Sequence, residues 1–423
     1  MVTGTERIFE DVYQARDYVL ALEQSELDCD VFREKPPMMC YQNDGFRGRP
    51  RPIPIDSLDF PLVAYFNEAD EDKFIMTRLQ SGRYSLKPNL RDRKFLFRGE
   101  TEFHDPCKPS LFRDAKKTYF LDPLIYGHEM FRLILSHPLV QLLDVGLDLN
   151  GKRIRFEMNL YGLTQHYYNQ TSLLDLTSDI DVALFFATQR YDSKTDSYYP
   201  IVDENEEKIG VLYYYSLDCR TDFVRSFGGR MSTIGLQVFP RSGRQKGFLY
   251  DCDKDSNFND HAQLRAVRFK HKEIIANEVY AKMDGGRRLF PHDILQDHWA
   301  GIQKGRVSLD AVYINVDRNG EEDAESIRAK LNRCGIEVAD YKPLLTEEEL
   351  HRYYEDVRKE NLWEVFCDQI YIPGDKDGKM MAALRNVPNN PKYNWAFKEG
   401  IPPQIDYDQG FLLKHYKKVL MRE

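Results

Sequence analysis

The chain has 423 residues, with 59 Lys+Arg against 68 Asp+Glu and a formal charge of −9 at pH 7. Apolar residues make up 42% and aromatics 13%, enough for a packed core, which excludes wholesale disorder, collagen-like and low-complexity chains. The acidic balance argues against a protein that coats nucleic acid by charge alone, and the length predicts about two or three domains.

No apolar run approaches the ~20 residues that a bilayer span needs. The first ten residues carry Glu6, Arg7 and Glu10 and lack the apolar segment of a signal peptide. The seven cysteines (Cys29, Cys40, Cys107, Cys219, Cys252, Cys334 and Cys367) are dispersed without CxxC spacing. That pattern predicts reduced thiols in a cytoplasmic protein without membrane association.

In chain order, Ile8, Val12, Ala15, Val19 and Leu22 line one face of a predicted N-terminal helix. Pro36, Pro37, Pro50, Pro52, Pro54 and Pro61 then interrupt any long element. Lys94–Arg98 predicts a short strand, His128–Leu135 and Ile154–Tyr168 predict helices, and Leu173–Leu176 a buried strand or turn. Ser178-x-x-Asp181 is the pattern of a capping box opening a helix through Val182–Thr188, apolar nearly all round and therefore buried. Ile209–Tyr215, Ala266–Phe269 and Ala311–Val316 read as strands. After Asn319-Gly320 a helix carrying Ile327 and Leu331 is expected, with Gly335 as its C-terminal cap and Ile336–Val338 as a further strand. Thr346-x-x-Glu349 opens another helix, with Leu350, Tyr353 and Val357 on one face. From Cys367 to Glu423 the composition predicts an extended appendage bearing Trp395, Phe397, Phe411 and Tyr416 as an interaction surface. The predicted class is α+β, a mixed sheet core with flanking helices. Residues 1–80 form an N-terminal accessory helix and Pro-rich segment, 81–345 the main domain, and 346–423 the C-terminal helix and appendage.

The P-loop, Rossmann glycine, HExxH and GxSxG patterns do not occur. Asp251-x-Asp253-x-Asp255 has the spacing of a calcium loop, but Ser256 stands in place of the Gly and Ala262 in place of the bidentate Glu. It reads as an acidic turn, and no metal site is expected. Two segments hold chemistry. Phe97-Arg98-Gly99 ends an apolar run. Its Arg has the fork that grips phosphate or carboxylate, or it pairs with a nearby acid such as Glu100. The second runs through Gln165-His166-Tyr167 and Thr171–Thr177, where polar groups adjoin the apolar Ala183–Ala187. Buried polar groups so placed form a structural network or a site.

These segments, taken in order, resemble the FRG domain family. Phe97-Arg98-Gly99 is its name motif, and Pro109-Ser110-Leu111-Phe112-Arg113 is similar to its P-S-L-F-R. Gln165-His166-Tyr167 with Thr171-x-Leu173-Leu174-Asp175-x-Thr177 resembles its Q-H-Y-G-x-P-T-R-L-L-D-x-T, and Ala183–Ala187 its A-L-F-F-A. Arg244-Gln245-Lys246-Gly247-Phe248 is similar to its R-x-x-Q-x-G-x-F, with shorter Arg spacing. The resemblance spans roughly residues 80–345. Tyr168, Gln170 and Ser172 stand where the family has Gly, Pro and Arg, so the turn needs another conformation, aided by Asn169.

A further similarity is to mono-ADP-ribosyltransferases. They place Arg-Gly at a strand end, a Ser/Thr strand running into a helix with A-x-x-F-A, and a Glu or Gln on a later strand. That resemblance implies an ADP-ribosyltransferase-like fold using NAD on a protein or nucleic-acid acceptor, as a bacterial toxin or anti-phage effector. Arg98 would bind the pyrophosphate beside Gly99, with Arg113 or Arg244 adding charge. Thr171 or Thr177 would hold the nicotinamide ribose, and Tyr167 or Phe248 would stack on the ring. Gln165 and His166 would complete the binding wall. Gln245 would accept from the ribose 2′-hydroxyl but supplies no charge. Asp175 is the alternative carboxylate, read mainly as a buried acid anchoring the turn. The second hypothesis is a non-enzymatic module that holds a ligand or partner.

Overall fold

The computed structural model describes residues 7–28, 39–42, 51–54, 69–79, 81–113, 127, 130–131, 133–167, 171–192, 194–202, 209–217, 231–296, 306–308, 323–333, 335, 337–339 and 345–398. The chain divides into two compact units that interleave along the sequence. The first comprises Met1–Ser81, Leu86–Arg113 and Ser172–His292; the second comprises Gly82–Ser85, Asp114–Thr171 and Asp293–Glu423. The class is α+β.

The first unit is built on a mixed sheet. In chain order its elements are β1 (Ile8–Phe9), α1 (Val12–Asp28), β2 (Phe95–Glu100), β3 (Leu173–Thr177), α2 (Ile180–Thr188), β4 (Ile209–Ser216), β5 (Met231–Thr233), α3 (Pro240–Arg244), β6 (Gly247–Asp251), β7 (Leu264–Lys270) and α4 (Glu273–Lys282). Among the described residues the sheet is seven-stranded, ordered β1-β7-β4-β2-β3-β6-β5. β1 lies parallel to β7, and the remaining neighbours are antiparallel. Side chains alternate across a strand, so β2 serves two cores. Phe95 and Phe97 join Leu212, Phe269, Ala183 and Phe185 under the helices. Leu96 joins Val211, Tyr213, Leu176 and Phe248 on the opposite face.

Helix α1 buries Val12, Ala15 and Val19 as its periodicity predicts. Ile8, expected on that face, instead pairs with Arg268 in β1 and is 48% exposed. A buried Glu23 joins α1 to the start of β2: its Oε1 accepts from the Lys94 and Phe95 amides at 2.7 and 2.9 Å. Burial pushes the Glu23 carboxyl pKa up, against the pull of those two amides. Helix α2 is buried nearly all round, as expected. Its N-cap is Asp179, which accepts from the Asp181 amide, one residue beyond the expected Ser178.

The second unit holds a hairpin, Leu147–Leu149 with Lys152–Ile154. Its turn is Asn150-Gly151, both at positive φ (48° and 75°), the backbone that tight hairpins require. This corrects the helix expected over Ile154–Tyr168, which begins only at Leu160. Thr346 and Glu349 form the expected capping box of helix Glu347–Lys359. The Cys367 segment was expected to be extended, but Leu362–Asp368 and Lys379–Arg385 are helices and Trp395 and Phe397 are buried. Aromatic donors drive this folding back: Tyr353 and Tyr354 donate to the Ala396 and Trp395 carbonyls, and Trp363 Nε1 to the Leu384 carbonyl. Phe411 and Tyr416 lie outside the described residues, as do Ala311–Val316, Asn319-Gly320 and residues 168–170. Gly335, at φ 79°, follows helix Ala324–Arg333 as expected, and Glu337–Ala339 is the strand expected near Ile336–Val338. No helix among the described residues is long and apolar enough to cross a membrane.

Candidate functional site

The register of β2 against β4 pairs Arg98 with Tyr213 and Glu100 with Val211. Both charged side chains therefore rise from the face that carries Leu96 and Tyr213, away from the helices. Arg98 turns inward along that face. Its Nε and Nη2 donate to Glu100 Oε1 at 2.8 and 2.7 Å, and its Nη1 donates to the Asp175 carbonyl at 2.8 Å. Burial, the largest single influence, would lower the guanidinium pKa, but Glu100, Cys107 and Asp175 together outweigh it and raise the pKa above the usual range. Arg98 thus fastens β2 to the neighbouring β3 through a backbone carbonyl and cancels its own charge with the acid two residues on.

Glu100 is 8% exposed. Its Oε1 also lies 3.8 Å from the Cys107 Sγ, while its Oε2 is buried and accepts no hydrogen bond. His104 Nε2 stands 3.9 Å from that oxygen. Burial, and then the Glu100 charge, push the Cys107 thiol up to about 12. Burial beside a carboxylate thus disfavours the thiolate there.

Gly99 faces the helices. A Cβ at this position would lie 1.9 Å from the Ala183 carbonyl oxygen and 2.7 Å from both Ala187 Cβ and Ala187 N. Only glycine lets α2 rest on the strand backbone, and the small Ala183 and Ala187 complete the fit.

Thr177 and Gln245 meet on the next strands. Thr177 Oγ1 donates to the Gln245 carbonyl at 2.7 Å and accepts from the Asp179 amide at 3.0 Å. The Gln245 side-chain amide donates to the Leu289 carbonyl at 3.1 Å. Lys246, at φ 45°, turns the chain into β6. Asp175 contributes its carbonyl to Arg98, and its side chain projects from the opposite face to Leu174 and Leu176. Phe248 is fully buried in the core. Arg244 is exposed at the end of α3. Arg113 ends the turn Ser110–Arg113, its Nε donating to the Lys108 carbonyl at 2.8 Å.

Gln165, His166, Tyr167 and Thr171 belong to the second unit. There Thr171 donates to the Gln165 side-chain oxygen and Tyr167 to the Asp293 carboxylate. Within the first unit, Arg98 and Gln245 have Thr177 and Asp175 between them; within the second, Thr171 is a helix-end partner of Gln165.

Two features of the first unit escape sequence reasoning. Tyr198 stacks on Phe290 at 5.0 Å, with the Arg241 guanidinium 5.6 Å from the Phe290 ring. Asn257 and Asn259 bind the segment that follows Glu100. Their Asn-x-Asn spacing beside the acidic turn was a readable signal of side-chain-to-backbone bonding.

The first unit is thus an α+β domain organised around a strand-end Arg-Gly that one helix caps. A family model described as the FRG domain matches residues 93–196, so the chain carries an FRG domain in that stretch. No curated protein and no solved structure matches the chain.

Proposed function

We propose that this chain is a non-enzymatic FRG module that binds a ligand or a macromolecular partner, and that its name motif is spent on architecture. The carrying observation is the commitment of the Arg98 guanidinium: Nε and Nη2 on Glu100, Nη1 on the Asp175 carbonyl. A pyrophosphate would have to displace a carboxylate held at 2.7 Å, one already neutralising the charge it seeks. Gln245, the residue a transferase would need as acceptor, is tied into its own chain: its side-chain NH2 donates to the Leu289 carbonyl and its backbone carbonyl accepts from Thr177.

The ADP-ribosyltransferase reading keeps one specific support. Arg98, Thr177 and Gln245 sit on or beside three neighbouring strands, β2, β3 and β6. β3 leads into α2, which brings Ala183 and Ala187 onto Gly99. Incubation with nicotinamide-labelled NAD separates the two. The binding reading expects no nicotinamide release and no NAD-dependent rise in melting temperature. Release that disappears in Gln245→Ala, a variant still folded by circular dichroism, would establish the enzyme.

A further inference from the structure

The segment that leaves β2 turns back onto its last residue. His104 and Cys107 both reach Glu100, at 3.9 Å and 3.8 Å. Residues 101–109 form neither helix nor strand, so no ladder holds this return. Its start is held to the sheet, the Thr101 carbonyl 2.8 Å from His271 Nε2 and Phe103 packed on the core under the Arg268 guanidinium; from His104 on, its fastening is to the turn at 254–259, largely through two amide side chains. Asn257 Oδ1 accepts from the Cys107 amide at 2.9 Å, and Asn257 Nδ2 donates to Asp105 Oδ1 at 2.9 Å. Asn259 Nδ2 donates to the His104 carbonyl at 2.9 Å. The Phe258 amide and Lys108 Nζ add one bond each, to the Cys107 and Lys254 carbonyls.

The closed arrangement leaves two buried acceptors without donors, Glu100 Oε2 and Asn259 Oδ1. Each penalises closure, because solvent would satisfy it once the segment lifts. Fastening by a few side chains, together with an unsatisfied interior, marks a segment of low local stability. We propose that residues 104–108 are a strap latched by Asn257 and Asn259, and that its local opening is what uncovers the Arg98–Glu100 pair. The strap goes beyond the binding reading and stands whether or not that pair takes a ligand.

Cys107, part of the strap and facing inward from it, is 1% exposed and serves as its reporter. Thiol labelling of the full chain with N-ethylmaleimide, resolved by peptide mass spectrometry, measures how often it is uncovered. The double variant Asn257→Ala/Asn259→Ala should raise the Cys107 labelling rate about tenfold or more, since each lost hydrogen bond shifts the opening equilibrium severalfold. Phe185→Leu, on the far face of the sheet, supplies the comparison at matched loss of melting temperature. It should leave Cys107 labelling well below that of the double variant. Equal rates in the two variants would mean global unfolding and overturn the strap, as would no rise in the double variant. Hydrogen exchange on the unaltered chain is a second measure. The Cys107 amide should exchange faster than the Leu212 amide and be insensitive to low denaturant. Exchange of the two amides at one common, denaturant-sensitive rate would also overturn it.

Discussion

On the helical face of the central sheet, contact is made by leaving atoms out. Gly99 has no Cβ, Ala183 and Ala187 present the least possible bulk, and α2 settles on the strand backbone. On the opposite face, contact is made by charge. Arg98 reaches sideways to β3, Glu100 balances it, and Cys107 and His104 close over them. Adjacent residues of one strand serve these two faces because the pleat alternates. The pair teaches that Phe-Arg-Gly is a structural statement on both sides: Phe97 and Gly99 for packing, Arg98 for strand-to-strand fastening.

The largest expected effect breaks the charged face. Arg98→Met leaves Glu100 buried without its cation and should cost about 3–5 kcal/mol in chemical denaturation, while Arg98→Met/Glu100→Met should recover much of that loss. If the double variant is as unstable as the single, the pair is not the fastening. Gly99→Ala tests the other face. With backbone atoms in the way, α2 must move, and a loss of about 1–3 kcal/mol or more is expected by the same measurement. A neutral result would show that the helix yields freely.

The smallest effect is the pH dependence of the charged face. The folded Cys107 pKa lies above its unfolded value, so its contribution is fully present below about pH 9 and fades toward pH 12. Cys107→Ala should therefore flatten the alkaline loss of stability, whereas Gly99→Ala should leave its slope unchanged. Parallel slopes in all three proteins would remove Cys107 from the account.

The α+β class, strands β2, β3, β4 and β7, the buried α2 and the capped helix at Thr346 were legible from apolar runs and capping patterns, which report local physics. The FRG series was legible too, and Glu100 was already the candidate partner of Arg98. Asn150-Gly151 carried a hairpin signal that helical periodicity obscured. The aromatics of 353–397 acted through long-range donors to backbone carbonyls, which no local window displays.

Residue types and their order along the chain determined that Arg98, Thr177 and Gln245 would be polar groups set in an apolar scaffold. Tertiary structure alone decided what those groups do. Strand register and the sheet order β2-β3-β6 chose the partners, and once buried each had to spend its hydrogen bonds on whatever lay within about 3 Å. That is why a guanidinium suited to phosphate holds a carboxylate and a carbonyl of its own chain.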